Sequence, residues 1–151
     1  MPPPYCYDYP RPAVTVDLVA FAREGDRLKV LLVRRKHDPF AGRWALPGGF
    51  VDMNEPVEDA ARRELKEETG LEVGEINFLG VYSDPGRDPR GRTISLVFYA
   101  LIPGPPPRPT GGDDAEDAAW LDAPDVSRPG ALAFDHDRIL GDAIRRAGEA
   151  P

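Results

Sequence analysis

The segment 56–69 predicts a helix whose charged residues fall on the face that should be buried. A proline at its start suits the first helical turn, and Gly70 suits the left-handed residue that ends a helix. Glu64, Glu67 and Glu68 recur at spacings of three and four, which brings their side chains together. On a helical wheel they share the apolar stripe of the helix, where a leucine would be expected.

Charges on an inward face are costly unless a cation accompanies them. Burying an uncompensated carboxylate costs on the order of several kcal/mol or shifts its pKa. A glutamate-rich helix is usually a solvated surface helix, but here the other charged residues already occupy the opposite face. The pattern therefore predicts a divalent-cation site. Mg²⁺ is the expected ion and Mn²⁺ the alternative, because hard cations bind carboxylate oxygens.

The residues around this helix complete a longer pattern. Residues 49–71 read GFVDMNEPVEDAARRELKEETGL and match G-x5-E-x7-R-E-(apolar)-x-E-E-x-G-(apolar). The specified positions are Gly49, Glu55, Arg63, Glu64, Leu65, Glu67, Glu68, Gly70 and Leu71. A chance match at all of them is rarer than roughly one in a million at ordinary residue frequencies. The segment resembles the Nudix box of the Nudix hydrolase family, and a looser resemblance covers nearly the whole chain.

The Nudix resemblance implies a fold and a reaction. The implied fold is α/β, a Nudix-type α/β/α sandwich with a mixed sheet in a single domain. This agrees with the predicted element order, in which strands interleave with two helices. The implied reaction is metal-dependent hydrolysis of the pyrophosphate bond of a nucleoside diphosphate derivative, which makes the chain a Nudix pyrophosphohydrolase.

The resemblance also implies roles for residues of the box. The metal ligands that it implies are the carboxylates of Glu64, Glu67 and Glu68 and a backbone carbonyl near Gly48. Arg63 is expected to orient Glu64 or Glu55, and these residues belong to the predicted catalytic set with the metal ligands.

The group that accepts a proton from water stays open between a box glutamate and an acid outside the box. An acidic cluster at residues 113–117 precedes the predicted strand that contains Trp120. A solvated loop is the commoner interpretation of such a charge run. Glu116 and Asp114 are nevertheless the candidates outside the box, and Glu116 joins the predicted catalytic residues.

Arginines predict how a phosphorylated substrate is bound. Arg87, Arg90 and Arg92 lie on one loop rich in proline and glycine, and guanidinium groups suit phosphates. A solvated surface loop is the competing interpretation. Arg34 and Arg35 end an earlier strand at the mouth of the predicted cleft. One of these two should face the phosphates, and we name Arg35 as the candidate.

Four further stretches narrow the substrate class. PRPAVTVDLVAF, FAGRWALPGGFVD, DPGRDPRGR and LAFDHDRIL together resemble the small ADP-ribose pyrophosphatases of bacteria and archaea. That resemblance implies cleavage of ADP-ribose to AMP and ribose 5-phosphate. The alternatives are a (d)NTP, NADH or dinucleoside polyphosphate pyrophosphohydrolase, or a non-catalytic ADP-ribose-sensing module. The sensor is disfavoured because the glutamates are intact and no second segment is long enough for a DNA-binding domain.

Charge and composition limit the partners. The chain has 151 residues and a formal net charge of −7, which argues against nucleic acid and anionic membranes as partners. No apolar run reaches transmembrane length. Cys6 is the only cysteine, which excludes an internal disulfide and fits a reducing, cytoplasmic location. The expected partner is a small-molecule nucleotide substrate, and a homodimer is an option because many relatives are dimers.

Local patterns predict the layout of the chain. Residues 1–12 are expected to form an extended tail and residues 13–148 the Nudix domain. The predicted strands are 13–22, 28–35, 44–46, 75–83, 93–102 and 118–121, and the predicted helices are 56–69 and 134–147. Asn54 or Glu55 is expected to cap the first helix. His136 is expected at the surface or at a helix cap, and Trp44 and Phe50 are expected in the core.

Overall fold

The computed structural model of the chain describes residues 4–110 and 117–149. The strands are β1 (Ala13–Glu24), β2 (Arg27–Arg34), β3 (Trp44–Ala45), β4 (Gly48–Phe50), β5 (Asn77–Tyr82), β6 (Thr93–Ile102) and β7 (Ala118–Asp122). The helices are α1 (Val57–Thr69), α2 (Ala123–Val126) and α3 (His136–Glu149). Residues 4–12 precede β1, are exposed and contain neither helix nor strand.

The sheet is built around β1, which pairs along both of its edges. One edge runs parallel to β6 over residues 13–22. The other edge changes partner, because residues 15–17 pair with β4 and residues 21–24 pair with β2, both antiparallel. The mixed sheet has the order β3-β2-β1-β6-β5, with β7 paired to β2. The apolar run of β1 suits a strand that is buried on both faces.

Each face of the sheet packs against a helix. Alternate β1 residues point to opposite faces, as the period of a strand requires. Val16 and Leu18 pack with the α1 cluster that contains Leu65. Val19 and Phe21 pack in the cluster on the other face, to which α3 contributes the residues Ile139, Leu140 and Ala143. These layers confirm the predicted α/β/α sandwich with a mixed sheet.

Helix α1 ends as predicted but begins differently. Gly70 has a φ of 75° and donates its backbone N–H to Lys66 O, which satisfies an otherwise open carbonyl. The predicted cap by Asn54 or Glu55 is wrong, because Pro56 occupies the cap position and no side chain caps the helix. The Glu55 carboxylate instead accepts the backbone N–H of Asp52 at 3.0 Å.

Two elements were not predicted, and both are short. Strand β4 contains the diglycine, and a glycine pair weakens the pattern that identifies a strand. Helix α2 spans only Ala123–Val126, which is too short for a helical period to show. In the described ranges no helix is both long enough and apolar enough to cross a membrane.

Candidate active site

A cavity of about 230 Å³ lies beside β1, next to the predicted box. It lies where the outer edge of β1 passes from β4 to β2, so the strands part at this point. Strand β4 and Glu68 form one side, and Asp17 and His136 form the base. The wall also includes Phe50 at the end of β4 and residues of three loops, namely Arg35, Arg87, Arg90 and Phe134.

The two glycines of β4 let carboxylates approach the backbone from both sides. A Cβ on Gly49 would lie 2.5 Å from Glu64 Oε1, closer than any real contact. A Cβ on Gly48 would lie 2.5 Å from Asp17 Oδ1. The preference for glycine at both positions comes from packing and not from backbone conformation, since neither residue has a positive φ. The diglycine is held between the box helix and β1.

Arg63 ties the acidic residues of the box together. Its Nη2 atom donates to Glu55 Oε1 at 2.6 Å and to the Phe50 carbonyl at 3.2 Å. Its Nη1 atom donates to Glu64 at 3.0 Å and to Glu67 at 3.2 Å. The hydrogen bond to Glu55 raises the pKa of Arg63, and the same bond lowers the pKa of Glu55. Arg63 therefore joins α1 to β4 and to the loop before the helix.

Glu64 and Glu68 share a poorly solvated position beside β4. Burial raises the pKa of Glu64, against the opposing effect of Arg63. Burial also raises the pKa of Glu68, and the nearby charge of Glu64 adds to that effect. The backbone N–H of Gly48 donates to Glu68 Oε2 at 3.4 Å, which supports the charged form only weakly. Two carboxyl groups in such a position need a proton or a cation between them.

The donor set fits a hard divalent cation. Carboxylate oxygens and backbone carbonyls are the ligands that Mg²⁺ and Mn²⁺ prefer. Glu64 and Glu68 already lie together, whereas Glu67 is 58% exposed and is paired with Arg63. In residues 4–110 and 117–149, no group of three or more acidic, histidine or cysteine side chains is arranged so that it could hold a metal ion. Of the predicted ligands, Glu64 and Glu68 are thus adjacent, whereas Glu67 is paired with Arg63.

Arg35 and Arg90 approach the same aromatic ring from the cavity wall. Their guanidinium carbons lie 4.9 Å and 5.5 Å from the centre of the Phe134 ring. Arg35 donates to the Pro39 carbonyl at 2.7 Å. Burial lowers the pKa of Arg35, and the charge of Arg90 adds to that effect. Arg90 also makes two hydrogen bonds to the Asp88 carboxylate, at 2.7 Å and 3.0 Å, and Asp88 lines the same cavity.

The other predicted arginines lie in different settings. Arg87 lines the cavity, but its guanidinium makes two hydrogen bonds to Asp135, at 2.7 Å and 2.9 Å. Arg92 donates to the Ser83 carbonyl and is not among the cavity-lining residues. Arg34 stacks over Trp44 at 5.1 Å and also lies outside the cavity lining. Of the pair at the end of β2, Arg35 is the one that faces the cavity.

Some predictions for single residues need correction or lie outside the described chain. His136 is not at the surface, since it is 5% exposed and its Nδ1 atom accepts the Leu46 N–H. Phe50 is not in the core, since it is 50% exposed at the cavity. Trp44 packs against the core as predicted. Glu116, with Asp113 and Asp114, lies outside the described residues.

Sequence reasoning missed Asp17 at the cavity base and Phe134 at its wall. Asp17 carried a signal, because it is the one charged residue within the apolar run AVTVDLVAFA. Such a residue in a buried strand needs a partner, and Ser95 and His136 lie next to it. Phe134 carried no signal, because its position depends on a backbone φ of 53° that no local pattern predicts.

Comparisons with known proteins agree on the family. The family model described as NUDIX domain matches residues 11–142. An ADP-ribose pyrophosphatase of Methanocaldococcus jannaschii is 47% identical over 137 residues, which cover 91% of this chain and 76% of that protein. An ADPR responsive transcriptional repressor, NtrR, of Acinetobacter baylyi is 33% identical over 92% of this chain, and the match spans only 56% of the repressor.

A solved structure of a NUDIX domain bound to ADP ribose has the same fold. The NUDIX domain of Shewanella oneidensis NrtR, complexed with ADP ribose, superposes with a TM-score of 0.82 at 34% identity. The match covers 93% of this chain and 94% of that chain. Sequence and structure therefore relate this chain both to an enzyme and to a regulator.

Proposed function

The chain belongs to the Nudix family of hydrolases, and from that membership we propose that it hydrolyses ADP-ribose to AMP and ribose 5-phosphate with Mg²⁺. The observation that carries the proposal is the cavity, which is lined both by the Glu68 carboxylate of α1 and by Arg35 and Arg90. The match of 47% identity to an ADP-ribose pyrophosphatase supports this choice of substrate.

The proposed reaction is a hydrolysis at phosphorus. The oxygen of water forms a bond to one phosphorus of the pyrophosphate, and the bond from that phosphorus to the bridging oxygen breaks. One product is AMP and the other is ribose 5-phosphate. The proton that water loses goes to a carboxylate of the protein, and the bridging oxygen leaves on the other phosphate.

The acidic side of the cavity supports the metal part of the proposal. Glu64, Glu67, Glu68 and the Gly48 carbonyl would hold the cation. When bound, a divalent cation neutralises phosphate oxygens and makes water nucleophilic near neutral pH. For Glu67 to contribute, its carboxylate must leave Arg63, which it now contacts at 3.2 Å. Arg63 keeps Glu55 and the Phe50 carbonyl as partners, so α1 stays joined to β4.

The basic side of the cavity supports the substrate part of the proposal. Arg35 and Arg90 bring two positive charges to the wall that faces Glu68. Their hydrogen bonds to the Pro39 carbonyl and to Asp88 hold them in place without help from the substrate. We assign these two residues to the pyrophosphate. Arg87 is assigned a supporting role through Asp135, and Arg92 stays a prediction for the outer part of the substrate.

The proton acceptor is proposed among Glu55, Glu64 and Glu116. Glu55 suits this role least, because Arg63 and the Asp52 amide occupy its oxygens and lower its pKa. Glu64 is the other candidate within the box, and burial raises its pKa against the opposing effect of Arg63. Glu116 remains the candidate outside the box.

A substrate panel tests the choice of substrate. The chain is incubated with Mg²⁺ and ADP-ribose, dATP, dGTP, NADH or a dinucleoside polyphosphate, and products are identified by mass. ADP-ribose should give the highest rate and release AMP. A rate on any of the other substrates that is higher by about tenfold, which corresponds to 1.4 kcal/mol in the barrier, would overturn the choice.

An ADP-ribose sensor is the second candidate, because 92% of this chain matches a repressor that responds to ADPR. Titration calorimetry with ADP-ribose and Mg²⁺ separates the two functions. A sensor gives a single binding heat with intact ligand recovered afterwards, whereas the proposed enzyme gives a continuous heat and AMP. Retention of labelled DNA by the chain would further support the sensor.

We also propose a cytoplasmic protein that acts on a small nucleotide without nucleic acid as a partner. The net charge of −7 and the single cysteine support this setting. A homodimer is the proposed assembly.

A further inference from the structure

A buried polar network beneath the diglycine has no part in the reaction proposed above. Ser95 donates its hydroxyl to Asp17 Oδ2 at 2.6 Å. The Nε2 atom of His136 lies 3.6 Å from the other oxygen, Asp17 Oδ1. All three residues are buried, with exposed fractions of 7% or less. A carboxylate in such a place is retained only where its neighbours compensate its charge.

The second ring nitrogen of His136 holds a backbone group. Its Nδ1 atom accepts the Leu46 N–H at 2.9 Å. Because Nδ1 is the acceptor, the ring proton of neutral His136 lies on Nε2, the nitrogen that faces Asp17. Burial lowers the pKa of His136 against the opposing charge of Asp17, which favours this neutral form. The ring therefore holds the strand connection before the diglycine by a hydrogen bond, and its other nitrogen lies beside a carboxylate of β1.

The backbone after Leu46 is held at each following residue. Pro47 O accepts the Leu18 N–H at 2.9 Å. Gly48 donates to Glu68 and packs against Asp17 so closely that a Cβ would lie 2.5 Å from the Asp17 carboxylate. Asp17 thus contacts both His136 and Gly48, and it faces the same cavity as Glu68.

We propose that His136 and Asp17 are positioning residues for the metal-dependent hydrolysis, because together they hold the backbone from Leu46 to Gly48 beside Glu68. The proposal rests on the function proposed above, since it concerns the Gly48 carbonyl and Glu68 as cation ligands. Neither residue is assigned a bond to the substrate. Their effect is expected on the cation requirement and on turnover rather than on substrate affinity.

Three histidine variants test the proposal. His136→Phe keeps a ring of similar size and removes both nitrogens. His136→Asn places an amide oxygen near the position of Nδ1, so it keeps an acceptor for Leu46 N–H. His37→Asn is the matched control, because His37 is exposed and lies outside the cavity lining. The Mg²⁺ concentration at half activation, kcat, KM for ADP-ribose and the melting temperature are measured for each variant.

His136→Phe should lower kcat and raise the half-activating Mg²⁺ concentration by about 10- to 100-fold, the usual range for residues that orient metal ligands. KM should stay within about threefold of wild type, because His136 is not assigned a bond to the substrate. His136→Asn should recover most of both losses, and His37→Asn should match wild type. Wild-type Mg²⁺ dependence in His136→Phe, or equal losses in His136→Asn and His136→Phe, would overturn the proposal.

Asp17→Asn serves if His136→Phe does not fold. The amide keeps the size of Asp17 and an acceptor for Ser95, and it removes the charge that faces Nε2. Its half-activating Mg²⁺ concentration should rise. A wild-type value would overturn the positioning roles of His136 and Asp17 and leave the proposed function standing. A wild-type chain that hydrolyses nothing with Mg²⁺ would instead overturn the proposed function, and this proposal with it.

Discussion

At Gly49 the Glu64 carboxylate lies so close to the backbone that there is no room for a Cβ atom. Any larger side chain would meet Oε1 and Oε2 of Glu64 at 2.5 Å and 2.8 Å. The obstacle is the end of a flexible side chain rather than backbone, so the fold can adapt by moving Glu64. The box pattern thus specifies glycine here because of a carboxylate fifteen residues later.

Gly49→Ala should leave the chain folded and lower kcat/KM by about 100-fold, because misplacing a reacting or metal-binding group by about 1 Å has that effect. Gly74→Ala is the matched control, since its Cβ would meet nothing within 4 Å. Steady-state kinetics and circular dichroism of both variants provide the measurement. A Gly49→Ala enzyme with wild-type kinetics would show that Glu64 does not need its present position.

At the scale of elements, the start of α3 holds several walls of the cavity in place. The Phe134 ring contacts Arg35, Arg90 and Phe40. Asp135 binds Arg87 on the loop between β5 and β6. His136 reaches the connection between β3 and β4. The three consecutive residues 134–136 thus contact separate loops around the cavity. A shift of α3 would therefore move several parts of the cavity wall.

The pair of Arg87 and Asp135 should contribute strongly to stability. The Arg87 side chain is 5% exposed, and removing one partner of such a pair leaves the other charge without compensation. Arg87→Met should lower the free energy of unfolding by about 3 kcal/mol. Arg138→Met is the control, because Arg138 and Asp84 form an exposed pair expected to contribute about 0–1 kcal/mol. Urea denaturation that gives equal losses for the two variants would contradict the assignment.

Local patterns were enough to predict the long elements of this fold. Strand β6 was predicted with its observed ends, and α1 within one residue, because both have clear periodicity. The site was harder to predict, since its walls come from segments far apart in the chain. The parallel pairing of β1 with β6, which brings Ser95 near Asp17, depends on tertiary packing. The pairing of Arg87 with Asp135 likewise spans 48 residues, and neither local sequence contains a pattern that predicts it.

At the scale of the whole molecule, the charge distribution explains why a cation is central to the account. The chain carries a net charge of −7, and its substrate is an anion. Attraction must therefore come from local charge, and the cavity provides it through Arg35 and Arg90 on one wall. Glu68 lines the same cavity and Glu64 lies beside Glu68, and these carboxylates would attract a pyrophosphate only with a cation bound between them and the phosphates.

The most direct test of this account is the release of AMP from ADP-ribose, measured by mass with wild type and Glu68→Gln, each with Mg²⁺ or with EDTA. Wild type with Mg²⁺ should release AMP and ribose 5-phosphate in equal amounts, and EDTA should abolish the release. Glu68→Gln should stay folded and lose at least about 100-fold in rate, as expected when a ligand of a catalytic cation is removed. Release at the wild-type rate by Glu68→Gln, or undiminished release in EDTA, would contradict the account.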